Sequence, residues 1–304
     1  MSENKSPDLR VVPKNQLYHP IKIGLSGWKK ILLEVNNQIS KNYASIFAAG
    51  VAFYAFLAIF PSLVALISIY GLIISPDQLQ SQLEQLGAIM PSQAYDILKT
   101  QINKLIETPS DSLSWGTIIG IILAIWSANK GTKSLFKGVD MAYDTETSRG
   151  FIKQNALTLL FTFGSIILMI LSMTLIVGFP AFIEGFGLPD QIENLIGWTR
   201  WVLLALIAVF FVSVLYKVAP FRPTPKTRWV LPGASLSTFL WLIASWGFSF
   251  YVSNFGSYGE MYGSLSAVVV LLMWLFLTSF IIILGAEFNS EIEKYADDPD
   301  SSAS

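Results

Sequence analysis

One segment near the end of the chain constrains its fold more than any other. From Leu265 to Ala286 the sequence reads LSAVVVLLMWLFLTSFIIILGA, which is 22 residues without a charged side chain. A helix needs about 20 apolar residues to cross the hydrocarbon core of a bilayer. The segment therefore predicts a transmembrane helix. Glu287 follows it at once, and a carboxylate at that depth needs a partner or access to water.

The composition of the whole chain agrees with residence in a membrane. Its 304 residues are 53% hydrophobic and 13% charged, whereas soluble domains carry about 25% charged residues. The absence of cysteine excludes disulfides, thiol nucleophiles and thiolate metal sites. The one histidine, His19, lies in a polar N-terminal stretch and is expected to be solvated. We therefore predict neither a cofactor nor a metal, and the N-terminus has no apolar signal-peptide core.

Six segments predict an all-α integral membrane bundle of six transmembrane helices. The second is apolar for only 16 residues, 113–128, and can span only if its helix continues into the lysine-bearing segment that follows. The six predicted spans form a single membrane domain over 21–293, between a disordered cytoplasmic tail at 1–20 and an acidic disordered tail at 294–304. The spans are 44–74, 113–130, 156–179, 198–217, 230–252 and 262–286.

Amphipathic segments flank the spans. Residues 21–39 place Trp28, Ile31, Leu32, Val35 and Ile39 on one helical stripe, which predicts a surface N-terminal helix. Packing of this helix under the bundle is the alternative. Residues 76–111 are too charged to span, and we expect two short helices there that cap the bundle on the outer side.

The first span carries small residues and a proline. Ala44, Ala48 and Ala52 follow each other at i, i+4 spacing and allow a neighbouring helix to approach closely, either within the bundle or across a dimer face. Pro61 lies inside the same span and is expected to kink it, because proline removes a backbone hydrogen bond.

The distribution of lysine and arginine predicts the orientation. Their counts in successive segments are seven in 1–43, two in 75–112, five in 129–155, none in 180–197, four in 217–229, none in 253–261 and one in 287–304. Loops rich in these residues stay in the cytoplasm. The alternation predicts a multi-pass protein of the plasma (inner) membrane with both termini cytoplasmic.

Three ionisable residues are expected at one level near the cytoplasmic ends of the spans. Lys130, Lys217 and Glu287 close the second, fourth and sixth spans. They could form an ion-pair cluster that binds or gates an anionic group or a proton. The alternative is interfacial anchoring, in which the lysines extend to the headgroup region.

The sequence offers little support for catalysis. A single histidine excludes HExxH metal sites, and a Ser-His-Asp relay would require His19. Asp140, Asp144 and Glu146 are the main acidic group on the inner side apart from the C-terminal tail. We interpret them as parts of a solvated, lysine-flanked loop and not as a metal site.

Four segments of the chain carry a resemblance to known proteins. They are AAGVAFYAFLAIFPSLVAL (48–66), WSANKGTKSLFKGVDMAYDTETSRGF (126–151), APFRPTPKTRWVLPGASL (219–236) and YGSLSAVVVLLMWLFLTSFIIILGAEFNSE (262–291). Together, over about residues 36–293, they resemble the YihY/BrkB family of bacterial inner-membrane proteins. The resemblance implies a six-span α-helical fold. It marks Arg149, Glu287 and Asn289, which we group with Lys130 and Lys217 as binding or gating residues, and it marks Pro61, Trp126 and Gly285 as structural residues.

The same resemblance implies a role at the bacterial envelope. Members have carried a ribonuclease BN label, and others are linked to serum resistance and to lipid export. We expect a transporter-like protein that contacts membrane lipids and binds or moves an anionic envelope lipid or small solute. A non-transporting scaffold or assembly factor for envelope biogenesis is the alternative. We expect no nucleic-acid partner and no enzymatic activity.

Overall fold

The fold is helical, as the sequence predicts. A computed structural model describes residues 23–73, 110–145, 149–178, 190–222, 225–254 and 264–297. Within these ranges there are seven α-helices and no strand, so the all-α prediction is confirmed. The helices are α1 (Leu25–Lys41), α2 (Ala44–Ile73), α3 (Ser110–Ala142), α4 (Phe151–Met173, continued by a π-helical turn, Thr174–Gly178), α5 (Asp190–Val218), α6 (Thr227–Asn254) and α7 (Ser264–Asp297).

Five of these helices are long and apolar enough to cross a membrane. Across the described part of the chain, the candidate spans are Ala44–Ser62, Phe151–Ile176, Thr199–Val218, Thr227–Val252 and Ser266–Ala296. Helix α3 is not among them. It does continue well past its apolar part, to Ala142, which is the condition for spanning that the sequence sets. The helical membrane bundle is confirmed, and the count of six spans stays a prediction.

Four parts of the chain meet at one end of the bundle, which we call the basal end. They are α1, the α3–α4 loop (143–145 and 149–150), the α5–α6 turn (219–222 and 225–226) and the last turns of α7. The main apolar core lies here and includes Phe136, Val139, Leu215, Tyr216, Val230, Ala234 and Ala286. Only 12 to 28% of each candidate span is buried, so most of the apolar surface of the spans is left for lipid.

Helix α1 packs under the bundle, which was the alternative to a helix lying only on the membrane surface. Ile31 and Val35 are buried against residues of α6 and α7, and the ring of Trp28 stacks on that of Phe288 with centroids 5.8 Å apart. Leu32 was assigned to the same apolar stripe but is 57% exposed, so the buried face of α1 is narrower than the stripe.

The end of α7 corrects one predicted boundary. The helix continues to Asp297, past the predicted span end at 286 and into the tail predicted to be disordered from 294. Ile292 and Ala296 are buried against α1, and Tyr295 packs beside them. Burial of these apolar side chains stabilises turns that the local charge pattern alone assigns to solvent.

The small residues of α2 face the interior. Ala44, Ala48 and Ala52 are all buried, and the first two pack against Ile283 of α7. This favours packing within the bundle over the dimer face. Helix α2 runs through Pro61, and the hydroxyl of Ser62 donates to the carbonyl of Ala58 at 2.7 Å.

Other predictions fall outside the described residues. These are the tail at 1–20, the cap over 76–109, Glu146 and the end of the chain from 298.

Candidate functional site

The site is built on the crossing of α6 and α7 at the basal end. Gly285 of α7 faces Gly233 of α6 with no room for a side chain. A Cβ atom on Gly285 would overlap the side chains of Ser237 and Tyr216 and lie 2.7 Å from the carbonyl oxygen of Gly233. Only glycine allows the two backbones to approach this closely.

Asn289, one turn further along α7, binds the backbone of α6. Its Oδ1 accepts a hydrogen bond from the N–H of Gly233 at 2.7 Å, and its Nδ2 donates to the carbonyl of Val230 at 3.0 Å. Pro232 lies between these two positions and has no N–H of its own. Asn289 therefore ties α7 to the turn of α6 that the proline interrupts.

A tyrosine and a serine complete the crossing. The hydroxyl of Tyr216 donates to the carbonyl of Ile282 at 2.5 Å and lies 2.9 Å from the hydroxyl of Ser237, which can donate to the carbonyl of Ile281 at 3.1 Å. Sequence reasoning missed both residues. The available signal was a tyrosine hydroxyl at the end of an apolar span, where a buried polar group needs a partner.

Glu287 is fully buried and faces the turn between α1 and α2. Its Oε1 accepts a hydrogen bond from Nδ2 of Asn42 at 2.9 Å. Asn42 precedes Tyr43, whose φ of 54° is in the left-handed region. No donor among the described residues reaches Oε2 of Glu287. Because a buried polar group without a partner costs free energy, the hydrogen bond from Asn42 is important for the stability of the buried Glu287 carboxyl group.

The predicted ion-pair cluster of Glu287 with two lysines is corrected. Lys217 donates to the hydroxyl of Thr227 at 2.7 Å, and Lys130 lies over the ring of Trp126 at 5.5 Å. Neither lysine is within ion-pair distance of Glu287 in the described part of the chain. The reason is that Glu287 lies on the side of α7 that faces Asn42.

Arg149 caps the end of α5. Its guanidinium donates to the carbonyls of Val218 and Pro220 at 2.9 Å and of Ala219 at 3.0 Å. These carbonyls lie at a helix end, where the helix supplies no partner for them and its dipole favours a cation. Arg149 therefore holds the α5–α6 turn, and its donors are engaged by the protein itself.

Asp140 at the end of α3 and Asp144 in the α3–α4 loop differ in their surroundings. Asp140 is buried, and its Oδ1 accepts from the N–H of Phe221 and the hydroxyl of Thr145, both at 3.2 Å. The solvated interpretation is therefore wrong for Asp140. Asp144 is more than half exposed and forms an ion pair with Lys294 of α7, with 2.8 Å between Oδ2 and Nζ.

A second ion pair links the α5–α6 turn to α7. The guanidinium of Arg222 binds both carboxylate oxygens of Glu293, and it also lies 3.8 Å from the ring centroid of Tyr143. Burial raises the pKa of the Tyr143 phenol, so this ring stays neutral. The contact with Arg222 is therefore a cation–π contact with a neutral ring and not an ion pair.

The lysines of α3 differ from Arg149, Arg222 and Lys294, which bind carbonyl or carboxylate groups of the protein. Lys130, Lys133 and Lys137 occupy one helix face, which we call the basic face of α3. Among the described residues, no carboxylate lies within ion-pair distance of any of the three. Trp126, Leu123 and Ile119 continue the same side of the helix toward the other end and are all exposed. The face thus changes from apolar to basic at Trp126.

Comparison with known proteins places all these residues in one family. Residues 36–304 match the family model described as Virulence factor BrkB. The chain belongs to this family. The match confirms the resemblance read from the sequence, and it includes Asn42 and all of α2 to α7.

Two relatives show how far the likeness of this BrkB-family chain extends. It is similar to a ribonuclease-like protein, YfkH, of Bacillus subtilis (strain 168), with 29% identity over 262 residues that cover 83% of this chain and 91% of the relative. It is also similar to a UPF0761 membrane protein of Xanthomonas axonopodis pv. citri (strain 306), with 39% identity over 100 residues that cover 32% of this chain and 24% of the relative. No solved structure matches the chain.

Proposed function

We propose that this BrkB-family membrane protein binds an anionic group, on a lipid or a small solute, and moves it across the membrane. The observation that carries the proposal is the basic face of α3. Its three lysines have no carboxylate partner among the described residues, and they adjoin an exposed apolar surface at Trp126. An amphiphilic anion fits both parts of such a surface.

The comparison with other lysines at the basal end supports a binding role over simple anchoring. Lys217 is bound to Thr227, and Lys294 is bound to Asp144 and Glu291. Lys130 and Lys133 are half-buried, and no ion pair joins either of them to a carboxylate in the described part of the chain. Cations near a membrane surface attract anionic groups by about 1 kcal/mol each.

The proposal includes an orientation in the inner membrane. We place the basal end and both termini in the cytoplasm, because the segments at this end carry most of the lysine and arginine. The basic face of α3 then meets the cytoplasmic leaflet, where anionic lipids concentrate.

Reconstitution into liposomes tests the proposal. The protein is compared with Lys130→Gln/Lys133→Gln, with Glu287→Ala, and with Lys217→Gln as a matched control for loss of a basal lysine. We expect translocation of an anionic lipid or flux of an anionic solute that the double variant and Glu287→Ala reduce and Lys217→Gln preserves. Flux no greater than that of Glu287→Ala liposomes would remove the transport proposal.

A scaffold for envelope assembly is the second candidate, and one observation favours it. The polar side chains at the basal end that could line a solute path are engaged by internal contacts, as for Arg149, Arg222 and Asn289. Crosslinking in cells that recovers one stoichiometric protein partner would support this function over transport.

We propose no enzymatic role. The name of the Bacillus relative is ribonuclease-like, and a ribonuclease of this sequence would depend on acidic residues such as Asp140 and Asp144. Asp140 is hydrogen bonded to Phe221 and Thr145, and Asp144 is paired with Lys294, so both carboxylates have structural contacts. Hydrolysis of RNA by the purified protein that is lost in an Asp140→Asn/Asp144→Asn variant would contradict this proposal.

A further inference from the structure

The last turns of α7 contact two separate parts of the basal end. Asn289 and Glu293, one turn apart, face α6 and the α5–α6 turn, where they bind Gly233 and Arg222. Lys294 is on another side of the helix and reaches Asp144 in the α3–α4 loop. The end of α7 therefore joins α6 and the α5–α6 turn on one side and the α3–α4 loop on another.

The contacts of α7 with α6 differ in kind from its contacts with the two loops. Gly285 and Asn289 join α7 to α6 through close backbone approach and buried hydrogen bonds. The two loops are joined to α7 by ion pairs, and at Asp144 and Lys294 the side chains are 55% and 41% exposed. Exposed ion pairs are weak and exchange readily with water, so the contact between Lys294 and Asp144 can break while the α6–α7 unit stays intact. Arg222 and Glu293 are only 17% and 13% exposed, so their pair is the stronger of the two contacts.

Each cation in these pairs has a second partner. Lys294 also binds Oε1 of Glu291 at 2.6 Å, and Arg222 also lies over the ring of Tyr143. If α7 separated from the loops, Lys294 would keep Glu291 and Arg222 would keep Tyr143. Separation therefore leaves neither cation without a partner, which lowers the cost of a second conformation.

We propose that the ion pairs Arg222–Glu293 and Lys294–Asp144 form a latch that holds the basal end closed. When the latch opens, the end of α7 moves away from the α3–α4 loop and from Arg222 of the α5–α6 turn, and α1 and the first turns of α6 move with it. Pro232 and Gly233 supply a point at which α6 can bend. Such switching between discrete packed arrangements is how helical membrane proteins expose a site to one side.

A distance measurement on the purified protein tests the latch. Because the chain has no cysteine, spin labels can be attached at Lys29→Cys on α1 and Lys153→Cys on α4, two exposed positions on opposite sides of the latch. The variant Asp144→Gly/Glu293→Gln removes one partner of each ion pair and is expected to open the latch. Glycine suits position 144 because φ there is 50°. Lys226→Gln, at an exposed basal lysine, is the matched control.

We expect a longer distance population that is larger in the latch variant than in the unaltered chain or in Lys226→Gln. An identical distance distribution in all three proteins, each eluting as a single folded species, would overturn the latch. If Glu293→Gln does not fold, Asp144→Gly/Lys294→Gln tests the Lys294–Asp144 pair alone at exposed positions, and we expect a smaller shift in the same direction. The measurement requires no substrate, so its result is independent of the proposed transport.

Discussion

At the scale of single residues, the contact between Gly285 and Gly233 sets how closely α6 and α7 approach. We expect Gly285→Ala to destabilise the folded protein by about 1–3 kcal/mol, as overpacking of a tight core does. Its methyl group would meet Ser237, Tyr216 and the Gly233 carbonyl. Denaturant unfolding in detergent measures the effect.

Gly247→Ala is the matched control for this substitution. Gly247 is also in α6, but no atom lies within 4 Å of a Cβ built there. Alanine should be neutral at this position, or stabilising by about 0.5–1 kcal/mol because of its helix propensity. Equal effects of the two substitutions would mean that the helices do not cross at Gly285.

Arg149 gives a second prediction at this scale. Because its guanidinium serves three carbonyls, we expect Arg149→Lys to lose most of that capping and to cost nearly as much stability as Arg149→Ala, about 1–3 kcal/mol. Hydrogen exchange at the end of α5 and unfolding in detergent measure the loss. Lys153→Ala, which removes an exposed nearby cation, should have little effect. Unchanged stability of Arg149→Lys would show that a positive charge alone is sufficient to cap the end of α5.

At the scale of secondary-structure elements, α1 is an amphipathic helix with a buried face and an exposed face. Ile31 is 2% exposed, whereas its neighbour Leu32 is 57% exposed. We expect Ile31→Ala to destabilise the protein by about 2–5 kcal/mol and Leu32→Ala to have much less effect on unfolding in detergent. The reverse order would mean that α1 is docked through its other face.

The helices that cross the membrane were predictable, because the bilayer sets their length and their apolar composition. A bilayer requires long apolar helices, so 44–74, 156–179, 198–217 and 230–252 could be located from the length of their apolar runs alone. The extension of α7 to Asp297 could not, because its stability comes from contacts with α1, more than 250 residues earlier in the chain.

The candidate site was predictable only in part, for the same reason. Local sequence indicates that Gly285 packs closely and that Glu287 needs a partner. It does not indicate that the partner is Asn42, since that depends on which way α7 turns the carboxylate. The roles of Arg149 and Asn289 as backbone ligands likewise depend on Val218 and Gly233, which no local pattern connects to them.

At the scale of the whole molecule, the orientation of the basal end can be tested directly. The absence of cysteine allows single-cysteine variants at Lys226 of the basal end and at Trp115 near the opposite end of α3. We expect a membrane-impermeant maleimide to label Trp115→Cys in intact spheroplasts and Lys226→Cys only after permeabilisation. The opposite labelling pattern would reverse the orientation.

The central claim is that the basic face of α3 binds an anionic group, and retention of lipid by the purified protein tests it most directly. Native mass spectrometry would compare binding of an anionic and a zwitterionic phospholipid to the unaltered chain, Lys130→Gln/Lys133→Gln and Lys217→Gln. At about 1 kcal/mol for each lysine, the double variant should bind the anionic lipid roughly tenfold or more weakly, while Lys217→Gln and binding of the zwitterionic lipid stay unchanged. Equal binding of the anionic lipid by all three proteins would contradict the claim.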